Sequence, residues 1–171
     1  MYTAIVINED ERNYLLRTCF RYIGFPEDGW ILRAHHITIN MGTFNRDIQI
    51  HHRERNGYLD YVPHSLGQRC SGNITRILYK PDDGIIALGL ISQMRQHIPD
   101  YSNESDYMHV LEAPIYSVND VAHITIAHRA DVKPKKANDY PQDQWIPLRR
   151  KTPIKVEGTL TEVETINMSH N

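Results

Sequence analysis

The feature that most limits what this chain can fold into is a four-residue pattern that occurs twice. The copies are His36-Ile37-Thr38-Ile39 and His123-Ile124-Thr125-Ile126, 87 residues apart (123 minus 36). Apolar neighbours precede both, Ala34 in the first and Val121-Ala122 in the second. Read as strands, each copy alternates with period two, so histidine and threonine share one face and the isoleucines share the other. The isoleucine face must be buried, and the opposite face then offers an imidazole beside a hydroxyl. The fold has to provide two sheets and bring those two faces to one place.

The 171 residues suit a single domain with a real core, here 1–171 as two pseudo-symmetric lobes with one motif strand each. A net charge of −2 does not grip a long nucleic-acid duplex through its overall field, so a phosphate ligand has to meet a local basic site. Two cysteines, Cys19 and Cys70, make neither a disulfide framework nor a cysteine-rich zinc site, which suits a reducing cytoplasm. Glu9, Asp10 and Glu11 follow a short apolar start that does not suit a secretory leader. No run approaches the roughly 18 apolar residues of a membrane span. The expectation is a soluble cytoplasmic protein without a membrane partner, of open oligomeric state.

Taken in order, Tyr2–Ile7 reads as a buried strand. Asn8, with Glu11 three residues on, opens a helix over 9–23 on which Leu15, Leu16, Cys19, Phe20 and Ile23 recur at helical spacing. Gly24 and Pro26 close it, and Tyr14 and Arg17 lie off the apolar stripe. The first motif strand spans about 31–40, with Phe44–His51 as its expected partner across Gly42. The charged stretch 51–55 reads as a solvated loop end, and 56–73 as loop with one short strand. Asn73–Lys80 and Gly84–Ser92 flank Pro81-Asp82-Asp83-Gly84 and predict a hairpin. The polar stretch 93–120, broken by Pro99 and Pro114, reads as a lid or surface loop. The second motif strand spans about 120–128, and 129–144 is a loop with one short helix. Trp145–Leu148 and Ile154–Glu164 form a last hairpin, with Ile154, Val156 and Leu160 on one face, and the tail from 165 on frays. Strands with few helices and no βαβ rhythm make the class α+β, two β-sheets facing a central cleft.

Two histidines on opposite sides of a phosphodiester act as a base and acid pair, one accepting the proton of the attacking hydroxyl and the other protonating the leaving oxygen. Thr38 and Thr125 project beside them and can donate to the non-bridging oxygens. This chemistry needs no metal and no cofactor, and neither motif has carboxylates at ligand spacing or resembles HExxH. The bland alternative is a pair of half-buried strands whose histidines merely satisfy backbone groups. His35 points away from His36 and reads as structural. Alternation places Asn40 on the His36/Thr38 face and Arg129 on the His123/Thr125 face, both within reach of a ligand. Lys133, Lys135 and Lys136 are candidates for a positive mouth. Tyr14 and Trp145 are candidate base-stacking platforms, with ordinary packing as the equal alternative.

At these motifs the chain resembles the two-histidine (2H) phosphoesterase superfamily, defined by paired H-h-[ST]-h motifs in which h is apolar. The resemblance implies a bilobal α+β fold with the four motif side chains in a central groove, acting without metal on phosphodiesters that carry a ribose 2′ oxygen. The start MYTAIVI leading into a helix, together with AHHITINMG, is similar to the small phage members that destroy cyclic-oligonucleotide immune signals (anti-CBASS nucleases). That resemblance implies a small cyclic oligonucleotide as substrate and, if phage-encoded, the host cytoplasm as location. The alternatives are an enzyme acting on RNA 2′,3′-cyclic ends and a non-enzymatic nucleotide-binding module.

Overall fold

Asn8 starts the helix that the spacing predicts: its side chain accepts from the Glu11 amide at 2.8 Å, and α1 runs Glu9–Ile23. Three acidic residues in the first turn and Arg21 in the last complement the helix dipole. Gly24 ends it, donating its amide to the Phe20 carbonyl. In this computed structural model the described residues are 1–47, 49, 66–90, 94–100, 109–150 and 152–165. The charged stretch 51–55 and the tail beyond 165 lie outside them.

The strands are β1 (Tyr2–Val6), β2 (Trp30–Leu32), β3 (His36–Met41), β4 (Arg69–Ile74), β5 (Arg76–Lys80), β6 (Ile85–Leu90), β7 (Met94–Asp100), β8 (His109–Ile115), β9 (Ala122–Arg129), β10 (Ile146–Pro147) and β11 (Ile154–Val163). They form two antiparallel sheets, β3-β1-β11-β4-β7-β8 and β10-β5-β6-β9-β2. The class is α+β with two sheets. No described helix is long and apolar enough to cross a membrane.

One continuous core ties the sheets to α1. Leu15, Leu16, Cys19 and Phe20 of the helix meet Ile37 and Ile39 of β3, Ile124 and Ile126 of β9, and Ile154, Val156 and Leu160 of β11. Each fully buried isoleucine or leucine contributes about 1.5–3 kcal/mol. Cys19 and Cys70 are buried and unbridged, and burial pushes both thiols up to about 12.

Several expectations are corrected. The segment 31–40 is two strands, because Ala34 takes a left-handed φ of 65° and swings the chain from the five-stranded sheet into the six-stranded one. Such a conformation costs an alanine about 1–2 kcal/mol, and Arg12 on α1 clamps the turn, its Nε donating to the Arg33 carbonyl at 2.6 Å. The chain makes the reverse crossing at Thr75, between β4 and β5, so Asn73–Lys80 serves both sheets. Residues 46, 47 and 49 are helical rather than a strand, and β3 pairs with β1 instead. The stretch 93–120 holds the β7–β8 hairpin at the rim of the six-stranded sheet, where Pro99 and Pro114 interrupt no central ladder. The last hairpin does not form: β10 joins β5 while β11 inserts between β1 and β4. The β5–β6 hairpin is as read, turned by Pro81–Asp83 with Gly84 at φ 75°.

Candidate active site

The isoleucines of both motifs enter the shared core, so His36, Thr38, His123 and Thr125 stand on the faces turned away from it. The two motif strands are then bound to each other reciprocally. The chain leading into β9 hydrogen-bonds β3: Ser117 Oγ donates to the Thr38 carbonyl at 2.7 Å and the Val118 amide to the Ile39 carbonyl at 2.7 Å. The chain leading into β3 hydrogen-bonds β9 at the same motif positions. The Ala34 amide donates to the Thr125 carbonyl at 2.8 Å and the Arg33 amide to the Ile126 carbonyl at 2.7 Å.

A second correspondence follows in the ladders. Against β1, Thr38 pairs with Ala4 and Asn40 with Thr3, which leaves Ile39 as the extra residue of a bulge. Against β6, Thr125 pairs with Ala87 and Ala127 with Ile86, which leaves Ile126 as the extra residue. A bulge reverses the alternation beyond it. Asn40 and Arg129 therefore leave the motif faces, and the expectation that they flank the histidines is corrected. Asn40 is 2% exposed and ties the next turn, its Nδ2 donating to the carbonyls of Met41 (3.0 Å) and Thr43 (2.7 Å). Arg129 sits 3.4 Å from Asp131. The residues that return to the motif faces are Met41, paired with Tyr2, and His128, paired with Ile85.

His123 is 9% exposed, and its Nδ1 lies 2.8 Å from the Val121 carbonyl. A carbonyl only accepts, so Nδ1 carries the proton and Nε2 keeps its lone pair. Trp145 backs the imidazole with ring centroids 5.3 Å apart, while its Nε1 donates to the Tyr140 carbonyl. At 1% exposed, Trp145 is a supporting wall and has no open face for a base. Gly89, opposite His123 in the ladder, leaves room for that indole: a Cβ there would stand 2.8 Å from Trp145 Cε3. Beside His123 a cavity of about 210 Å³ is lined by Asn119, Asp120, Asn138 and Tyr140 among others, and His36 does not line it.

His36 packs its ring against Tyr2, centroids 5.1 Å apart. Burial lowers its pKa to about 4, helped by repulsion from His35, His123 and Arg33. Burial also lowers His123, against the opposing pull of the Val121 carbonyl. Both imidazoles are neutral at pH 7, and the positive charge of Arg33 acts on His36. The Thr125 hydroxyl reaches the Pro134 carbonyl at 3.4 Å, and that of Thr38 has no partner among the described residues.

Tyr14 is 42% exposed on α1. His35 is exposed at the entry to β3. Lys136 pairs with Asp139 at 3.2 Å, and Lys133 and Lys135 are exposed. Tyr2, Ser117 and His128 escaped the sequence reading. The first two bear on the motifs through pairing with distant segments, and His128 was visible only as a second histidine on β9. Among the described residues, no group of three or more His, Cys, Asp or Glu side chains converges as a metal site. No family model, curated protein or solved structure matches the chain.

Proposed function

We propose that the protein is a metal-independent phosphodiesterase of the two-histidine type, and that its substrates are cyclic oligonucleotide signals of the kind used in antiviral immunity. The supporting observation is that His123 and His36 are close enough to act on each other electrostatically, with the positive charge of Arg33 also acting on His36. A phosphodiester brings a negative charge to His36. Its charge stabilises an imidazolium that the free protein holds neutral, so the acid is loaded by the substrate it serves.

In the first step the ribose 2′ oxygen attacks phosphorus, one imidazole takes its proton, and the bond from phosphorus to the 5′ oxygen breaks. The other imidazolium protonates that leaving oxygen, giving a 2′,3′-cyclic phosphate and a free 5′ hydroxyl. Water then opens the cyclic phosphate with the histidines in exchanged roles. Nε2 is the working atom of His123, since Nδ1 is held by Val121. In this reading the Thr38 and Thr125 hydroxyls donate to the non-bridging oxygens, where charge accumulates, Thr125 giving up its long bond to the Pro134 carbonyl.

The test is incubation with cyclic dinucleotides, cyclic trinucleotides and RNAs bearing 2′,3′-cyclic ends, with and without excess EDTA, read by product mass. Cleavage of a cyclic oligonucleotide in EDTA is the expected result. Opening of RNA ends alone would reassign the substrate, and loss of activity on chelation would remove the metal-free mechanism.

A further inference from the structure

Beyond Thr125 the motif face of β9 continues with His128, and that buried imidazole meets Arg33. Arg33 Nε donates to His128 Nε2 at 3.0 Å, while His128 Nδ1 lies 2.8 Å from the Arg129 carbonyl. The imidazole accepts from the guanidinium and brings no negative charge to offset that of Arg33. Behind Arg33 stands Arg12, whose Nε donates to the Arg33 carbonyl at 2.6 Å and whose Nη2 lies 3.5 Å from the Leu32 carbonyl. Neither arginine has a carboxylate partner among the described residues.

Backbone and imidazole acceptors fix the two side chains, Arg12 on the Arg33 carbonyl and Arg33 on His128. Both terminal nitrogens of Arg33 are left without partners among the described residues. That is the planar fork that binds phosphate oxygens two at a time. Its partner His128 stands on the same face of β9 as His123 and Thr125, and Arg33 also acts on His36 electrostatically.

We propose that Arg33, backed by Arg12, is a second phosphate subsite, holding the non-scissile phosphate of a substrate that carries at least two. This rests on the phosphodiesterase reading and narrows it. A cyclic dinucleotide or trinucleotide fills both subsites, while a nucleoside 2′,3′-cyclic monophosphate fills only the one between His36 and His123.

The experiment compares wild type, Arg33→Gln and Arg33→Lys on a cyclic dinucleotide and on a nucleoside 2′,3′-cyclic monophosphate. Glutamine can still donate to His128, so the fold is retained, and circular dichroism checks it. Arg33→Gln is expected to lower kcat/KM on the dinucleotide by about 10- to 100-fold, chiefly through KM, as befits a lost charged hydrogen-bond pair. The monophosphate, which Arg33 reaches only through its field at His36, should lose several-fold less than the dinucleotide, and Arg33→Lys should recover part of the dinucleotide rate. Equal losses on both substrates would place Arg33 at the scissile phosphate, and no loss on either would remove it from the site; both overturn the subsite. A binding measurement separates this from failure of the phosphodiesterase reading. Calorimetry with the 2′-deoxy cyclic dinucleotide should show Arg33→Gln weakened by about tenfold whether or not wild type turns over, and unchanged affinity overturns the subsite.

Discussion

Ile39 and Ile126 occupy one structural position in two strands. Each is the unpaired residue of a bulge one step past a motif threonine, and each carbonyl accepts an amide from the chain that leads into the other motif. The bulge increases local twist and ends the regular display of side chains. The motif face therefore presents one histidine and one threonine before the bulge, and resumes beyond it with Met41 on β3 and His128 on β9.

His36→Ala and His123→Ala should each lose about 10²- to 10⁴-fold in turnover, the usual contribution of a positioned acid or base. Rates with the true substrate are read beside circular dichroism. Two folded variants each keeping more than about a tenth of the wild-type rate would exclude the assigned roles.

If the 2′ oxygen is the nucleophile, a cyclic dinucleotide with 2′-deoxy or 2′-O-methyl at the scissile position should bind and not be cut. Comparison of its cleavage with that of the ribo form settles the point, since equal rates would mean that water attacks directly.

Acid should destabilise the fold through His36. Its pKa is about 4 in the fold against an ordinary 6.5, so between those values the unfolded chain holds more protons. The contribution is complete above pH 6.5 and is lost as the pH falls through that window toward 4. Burial lowers His123 in the same direction. One unit corresponds to about 1.4 kcal/mol, and each kcal/mol to about 2–4 °C in Tm for a chain of this size. Melting from pH 7 to 4 should show a smaller fall in His36→Gln than in wild type, and parallel curves would refute this account.

Gly89→Ala should disturb His123 from behind. The added methyl would stand 2.8 Å from Trp145 Cε3 and 3.1 Å from Val121 Cγ1, against the two residues that support the imidazole. Overpacking of this kind costs about 1–3 kcal/mol. Turnover, read below the variant's own Tm, should fall by about tenfold or more through misplacement. Wild-type turnover in a destabilised variant would show that the support is dispensable.

Local signals were legible in the sequence. Asn8 and the heptad-like apolar spacing gave α1 its ends, Pro81–Gly84 gave the β5–β6 turn, and alternation gave the core faces of both motifs. What alternation could not reveal is where it breaks. Isoleucine is as ordinary in a regular strand as in a bulge, so nothing at Ile39 or Ile126 warned that Asn40 and Arg129 would turn away. The crossings at Ala34 and Thr75 carry no glycine or proline, since their cause lies in the sheets they connect. Trp145 looked like a stacking platform because its burial depends on Gly89, distant in sequence.

The reciprocal bonds between the motif strands also set an order of events during synthesis. Ser117 reaches Thr38 across 79 residues and Arg33 reaches His128 across 95. At a translation rate of about 5–20 residues per second, the first motif waits roughly 4–16 s for its second neighbour to leave the ribosome. Through that interval β3 has β1 on one side and an unclosed edge on the other, the kind of edge that recruits foreign strands. His36 and Thr38 stand on that waiting strand, so the first motif is made early and meets the second only when the last third of the chain arrives.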